Sequence, residues 1–454
     1  MLRSACVLAL GAGLLGAPAF AEDIAMQTNF PPMQVVDAPR SGAHPLGGLA
    51  MLFIEQVNRG LAPHDKRLTY HVSGEVPESD RDAVAGPVAD MDAFATTYAA
   101  VAAGRAGGGV DLGIGIANQN GLELGELYVA ALPFGLEADE FAAYLYDGGG
   151  LALQQEIYAR RIGDIVVLPI AMTMTQGGGW FPEALPDPTA DGNTPLEAMR
   201  TLCEKPWIVR WPEPGAGIWG EACAEAGVAV ARIGQATRCE QADRPCPTDD
   251  NPLAQEIDRL TFGGFVPGLP PHGMIATGNI DAYELNLPST EILMIKAALG
   301  QGHLANAEAD LTPVVSAAPY YYGQTWHQQV TYLELLIHRP FWEGLSEEER
   351  WIIETAAEAA TLRSLTQALA LQGPAIARLE QAGAKVGRWP DGLLQVLRGA
   401  AERYLSAKAA RLEGAGDADY ARVLAHMRAY QQAQAAYADF GDLNQGRAGL
   451  PTSP

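Results

Sequence analysis

Apolar positions along this chain change period several times, and each change marks an element. From Leu46 to Asn58 they recur at helical spacing. Leu68, Tyr70 and Val72 then alternate with polar residues, as in a strand with one buried face. Alternation returns at Val110, Leu112, Ile114 and Ile116, where Gly113 and Gly115 leave room on the opposite face. Ile165–Ile170 and Trp207–Trp211 read as shorter apolar strands. Such alternation of strands and helices predicts mostly parallel α/β layers. The later chain is helical. Ser346 with Glu349 makes a capping box ahead of Ile352, Ala356 and Ala360. A last long helix carries Tyr420, Val423, Leu424 and Met427 on one face, and Tyr430 and Tyr437 extend that stripe.

The first residues change the picture. Arg3, the apolar stretch Ala5–Leu15 and the small-residue site Ala19-Phe20-Ala21 form a secretory signal, with cleavage expected after Ala21. No later stretch approaches the roughly 18 apolar residues of a membrane span, so no membrane insertion is expected. The 454 residues carry a formal charge of −24, which disfavours nucleic acid and anionic lipid as partners. An anionic ligand would need local positive charge from an arginine or a metal. Once Cys6 leaves with the signal, Cys203, Cys223, Cys239 and Cys246 remain, an even set that suits disulfides in an oxidising compartment. Of the possible pairings, Cys203–Cys223 with Cys239–Cys246 is favoured, because the second would close a Pro- and Asp-rich loop with little apolar content.

Candidate chemistry lies in two distant runs, Gln176-Gly177-Gly178-Gly179-Trp180-Phe181 and Gly278-Asn279-Ile280-Asp281-Ala282-Tyr283-Glu284-Leu285-Asn286-Leu287-Pro288, with Arg210 between them in Ile208-Val209-Arg210-Trp211-Pro212. An amide oxygen and a carboxylate can share a hard cation, and a guanidinium can hold a carboxylate with two prongs. At these residues the chain resembles the extracytoplasmic solute receptors of TRAP transporters. It is most similar to the DctP-type subgroup that binds 2-oxo or 2-hydroxy monocarboxylates with a metal. Ala131-Leu132-Pro133-Phe134-Gly135-Leu136, Pro319-Tyr320-Tyr321-Tyr322, Thr331-Tyr332-Leu333-Glu334-Leu335-Leu336-Ile337 and Trp389-Pro390-Asp391 follow in matching order.

The resemblance implies an α/β, two-lobed periplasmic-binding-protein-like fold with a ligand cleft between the lobes and C-terminal helices. It implies periplasmic capture of a small carboxylate, delivery to TRAP membrane subunits, and no catalytic residues. Arg210 matches the carboxylate clamp. Gln176, Glu284 and the backbone carbonyl of Leu285 match the ligands of a sodium or calcium ion, although the relatives have tryptophan where Leu285 stands. Gln176 is also a substrate-binding candidate, together with Trp180, Asn286 and Asn118. Asn118, Gln119 and Asn120 follow the Ile114–Ile116 strand, where polar groups would suit a hydroxylated ligand, and Asn120-Gly121 also reads as a turn. Gln324, Trp326 and His327 could reach the cleft, with a hydrogen-bonded structural role expected for His327.

Lobe I is expected to use 22–168 and to return at 312–361. Lobe II would use 169–311, with an insertion at about 237–265, and then 362–454 including the C-terminal helices. The final helix has two readings, packing on the chain's own lobes or, as in the resembled subgroup, a homodimer interface. Two rival functions stay open. Gly215, Gly217 and Gly220 fit G-x-G-x-x-G, the pattern of an exported NADP-dependent oxidoreductase, although Pro212-Glu213-Pro214 separates strand from glycines. The same scaffold could also present its ligand to a sensor.

Overall fold

The computed structural model describes residues 22–28, 45–72, 93–117, 120–205, 209–210, 214–228, 275–276, 281–298, 310–323 and 325–441. One set of strands is β1 (Glu22–Thr28), β2 (Lys66–Val72), β3 (Leu112–Gly115), β4 (Ile165–Met172) and β9 (Tyr332–His338). They form a sheet in the order β2-β1-β3-β9-β4. A second sheet contains β5 (Gly179–Phe181), β6 (Val209–Arg210), β7 (Ala282–Tyr283), β8 (Tyr320–Gly323) and β10 (Lys385–Arg388), in the order β10-β8-β5-β7-β6. Each sheet has its own core, so the expected two-lobed α/β architecture is present.

Strand direction corrects one expectation. The sheets are mixed rather than mostly parallel: β9 runs against β3 and β4, and β5 runs against β7 and β8. Both strands enter their sheet directly from the other lobe, not through a helical crossover within the same sheet, and the entry reverses their direction. The two crossings lie side by side. Thr173 N–H donates to the Thr331 carbonyl at 2.8 Å, and Thr331 N–H donates to Thr173 Oγ1 at 3.3 Å.

The lobe boundaries also shift. β4 carries lobe I to Met172, and β8 lies in the second sheet, so the return to lobe I falls between Gly323 and Tyr332 rather than at 312. The expected capping box is formed by Ser346 and Glu349, and it opens a 35-residue helix, Glu347–Gln381. That helix buries Ile353, Ala356, Ala357 and Ala360 in the first core and Ala375 and Leu379 under the second sheet. Helix Asp391–Gly414 likewise spans both lobes, with Leu393 and Leu397 in one core and Leu405 and Leu412 in the other.

In helix Asp419–Gly441 the stripe Tyr420, Val423, Leu424 and Met427 is buried in the lobe I core. Arg160 and Arg161 both pair with Asp419 at its start. Of the two readings of this stripe, packing on the chain's own lobe is the one realised, and 419–427 belongs to lobe I rather than lobe II.

Strand alternation puts Phe181, Ala282 and Tyr322 on one face of the second sheet and Trp180, Tyr283 and Tyr321 on the other. Cys203 and Cys223 form the expected disulfide between helices Pro195–Cys203 and Gly215–Glu225. The signal at 1–21, the insertion at 237–265 and the Cys239–Cys246 pair lie outside the described residues.

Candidate functional site

The sheet edge in lobe II gathers the two sequence runs. β6 and β7 are parallel, with Arg210 opposite Tyr283, so both strands end at the same edge. Open α/β sheets bind ligands at such an edge. Beyond β7 the chain runs through Glu284, Leu285, Asn286 and Leu287 into helix Pro288–Ala298. The link Thr173–Gly178 passes alongside, with Gly177 N–H donating to the Asn286 carbonyl at 3.0 Å. Gln176 and Glu284, more than a hundred residues apart in sequence, thereby become neighbours. Arg210 is in place by its backbone, and its side chain lies outside the described residues, as do Asn118, Gln119 and Gln324.

Gln176 is 5 % exposed and Glu284 0 %. With its Nε2 donating to Thr331 Oγ1 at 2.8 Å, the Gln176 amide oxygen faces the Leu285 carbonyl at 3.1 Å and one oxygen of the Glu284 carboxylate. In that orientation the amide oxygen meets two further oxygens. Two arrangements relieve this. The amide can turn over, so that its NH2 donates to Glu284 and Leu285 while its oxygen accepts from Thr331 Oγ1 at 2.8 Å and Gln328 Nε2 at 2.9 Å. Alternatively a cation lies between the oxygens and the Gln176 amide keeps its orientation, in which case the Gln328 amide must turn, because its Nε2 is 2.9 Å from the Gln176 nitrogen. Carboxylate, amide and carbonyl oxygens are the donor set of a hard cation such as sodium or calcium, not of zinc or copper. Among the described residues no three His, Cys, Asp or Glu side chains gather into a metal cluster. The residues present therefore fit the implied ion.

The other Glu284 oxygen lies 3.1 Å from His327 Nε2, an ion pair in the protonated form of the ring. His327 is wholly buried, and its Nδ1 is bonded to Thr325 Oγ1. The ring is thus built into the polar core of the site, which the sequence showed only as a hydrogen-bonded histidine of no known partner.

Trp180 is fully buried against Tyr321, with ring centroids 4.6 Å apart, and its indole N–H donates to Glu291. Asn286 is held on both sides: its Oδ1 accepts from Leu287 N–H at 2.8 Å, and its own N–H donates to Glu291 at 3.2 Å. Leu285 sends its side chain into the core shared by Trp180 and Tyr283, and that leaves its carbonyl toward Gln176. Sequence reasoning missed Glu291, Gln328 and Thr331. The first is legible only as an acid in the first turn of a helix, and the others as ordinary polar residues before a strand.

Asn120 belongs elsewhere. It makes the expected turn with Gly121, whose φ is +77°, and donates from Nδ2 to the Tyr158 hydroxyl at 2.6 Å inside lobe I. The Gly215–Gly220 pattern has a packing role. A Cβ on Gly217 would lie 2.1 Å from the Tyr404 ring, so this glycine lets two helices approach and does not face an open phosphate site.

No protein-family model matches the chain. A curated relative from Nostoc sp., a monocarboxylate 2-oxoacid-binding periplasmic protein, is 26 % identical over 268 residues, 59 % of this chain. That alignment spans about half of the relative, 54 % of its length. Among solved structures, a TRAP periplasmic solute-binding protein from Colwellia psychrerythraea with bound calcium and pyruvate superposes with a TM-score of 0.60 at 18 % identity, covering 94 % of this chain and 99 % of that one. One from Pseudoalteromonas atlantica with bound sodium and pyruvate gives 0.61 at 17 % identity, covering 94 % and 99 %. A TRAP transporter solute-binding protein from Bordetella bronchiseptica, a dimer with calcium and picolinate in its active site, gives 0.60 at 18 % identity, covering 94 % and 96 %. The chain has the TRAP solute-binding-protein fold.

Proposed function

We propose that this protein is the periplasmic solute receptor of a TRAP-type transporter, and that it captures a small 2-oxo or 2-hydroxy monocarboxylate together with a sodium or calcium ion. The observation that carries this reading is the meeting of the Gln176 side-chain amide, the Glu284 carboxylate and the Leu285 carbonyl beside the strand end that bears Arg210. The ion lets a chain with a net charge of −24 accept an anion next to a buried glutamate. Arg210 clamps the ligand carboxylate with two parallel hydrogen bonds. Asn286 and Asn118 supply polar contacts from the two lobes, and Trp180 backs the wall. Binding needs no chemistry on the ligand, only closure of the lobes around it.

The partners in this reading are TRAP membrane subunits. Among the described residues no helix is long and apolar enough to cross a membrane. A homodimer through the final helix would have to use positions other than Tyr420, Val423, Leu424 and Met427, which are buried on lobe I.

The test is a thermal-shift and calorimetric screen of pyruvate, lactate and longer 2-oxo acids, each with calcium, with sodium and with chelator. A ligand that binds only the folded form adds about 2.7 kcal/mol of stability at a hundredfold excess over Kd. The expected result is a shift with acid and cation together that chelation or sodium removal reduces. Equal acid binding in metal-free protein would remove the ion from the mechanism.

A further inference from the structure

Tyr321 carries a group that the proposed site does not yet use. Its ring is fully buried in the second sheet, and its hydroxyl has no hydrogen-bond partner among the described residues. Buried polar groups are nearly always bonded, so an exception calls for a missing partner such as an ion, a water or a ligand. The surroundings give the orphan its meaning. The hydroxyl sits against the backbone of Gly177, where a Cβ would come within 2.1 Å of its oxygen and 3.2 Å of the Asn286 carbonyl. It thus lies between the two segments that hold Gln176 and Glu284, and the glycine at 177 is what leaves room for it. Burial, then the charges of Glu291 and Glu284, push the phenol well above its usual range, so it keeps its proton. A neutral hydroxyl among carboxylate and carbonyl acceptors is a donor with an oxygen still to find.

We propose that Tyr321 is a ligand-positioning residue, whose hydroxyl donates to an oxygen of the bound acid once acid and cation are seated. This deepens the receptor reading and rests on it. It also separates two jobs within one site: Gln176, Glu284 and Leu285 hold the cation, while Tyr321 and Arg210 hold the acid.

Tyr321→Phe removes the hydroxyl and keeps the ring, and pyruvate and calcium are the probes. At saturating calcium, the pyruvate Kd of the variant should rise by about tenfold to a hundredfold, the usual scale of one lost hydrogen bond to a charged group. Calcium affinity without pyruvate should stay unchanged, and the ligand-free melting temperature should hold or rise, since an unmade bond is removed. An unchanged pyruvate Kd overturns the proposal. So does a fall in ligand-free melting temperature that accompanies weaker binding of both probes, which marks a structural hydroxyl. Wild-type protein that binds no 2-oxo or 2-hydroxy acid would instead overturn the receptor reading beneath it.

Discussion

Glu334 in lobe I and Glu284 in lobe II are both completely buried, and the two are treated in opposite ways. Glu334, on β9 in lobe I, accepts from the hydroxyls of Tyr98, Tyr158 and Tyr332 and from the amide of Gln154. Asn120 then bonds Tyr158, closing the network. Glu284, in lobe II, has His327 on one side and on the other the acceptor-facing amide of Gln176 and the Leu285 carbonyl. A carboxylate ringed by donors is finished by its own chain. One set beside an amide and a carbonyl depends on how the amide is turned, and an arriving cation can join it. Burial alone does not mark a binding residue; the sign of its neighbours does.

Four outcomes would break or sharpen this contrast. The largest is in binding: Arg210→Ala should lose about 2–5 kcal/mol of acid affinity, and Arg210→Lys should fail to restore it, because lysine lacks the planar fork. Calorimetry with the preferred acid decides it, and full affinity in folded Arg210→Ala would detach this edge from ligand binding.

Next is stability. Glu334→Ala leaves several buried hydroxyls without an acceptor and should cost about 3 kcal/mol by chemical denaturation, with little change in ligand preference. Glu284→Gln should do the reverse. It should shift stability by less than about 1 kcal/mol, since a glutamine can still bond within the cluster, yet abolish the cation-dependent part of acid binding. A Glu284 variant that unfolds like Glu334→Ala would make both carboxylates structural.

The smallest effect is in pH. Burial raises the Glu334 pKa from about 4.5, against the hydrogen bonds that lower it. Its contribution is therefore fully present below 4.5 and is lost as pH rises through the elevated folded value. Glu349 behaves oppositely. Desolvation raises its pKa, but Lys66 and Ser346 outweigh that and hold it at about 2, against an ordinary 4.5. Its contribution is present above 4.5 and fades as pH falls toward 2. Lys66→Met should flatten the acid limb of a stability–pH curve and leave the limb governed by Glu334 unchanged.

Much of this was legible in the chain because it is local. The capping box at Ser346, the strand at Ile165–Ile170 and the helical stripe at Tyr420–Met427 all follow from spacing, and spacing is a property of neighbours in sequence. The pairing Cys203–Cys223 followed from an even count, an oxidising compartment and the short loop that the other two cysteines bracket. What stayed hidden depends on partners far away. Spacing showed that Tyr420 lies on an apolar face but not whose core that face enters. Nothing near β8 reveals that it joins β5 and β10 rather than the first sheet, since the same tyrosine run suits either lobe. His327 and Glu284 are 3.1 Å apart only because two crossings bring the lobes' connecting strands together. Glu291 reads as ordinary helix-start chemistry until Trp180, at the far end of the domain's sequence, is found donating to it.

The core of lobe I contains both Ile24 and Met427. Almost the whole polypeptide must therefore be available before that core can close, and no N-terminal fragment ending before Met427 holds all of lobe I. Long-range closure of this kind slows folding, because chain entropy is lost well before the contacts that reward it form. A nascent chain therefore cannot complete the lobe I core until helix Asp419–Gly441 has been made. Calorimetry should then show both lobes melting in one transition, since helices Glu347–Gln381 and Asp391–Gly414 belong to both.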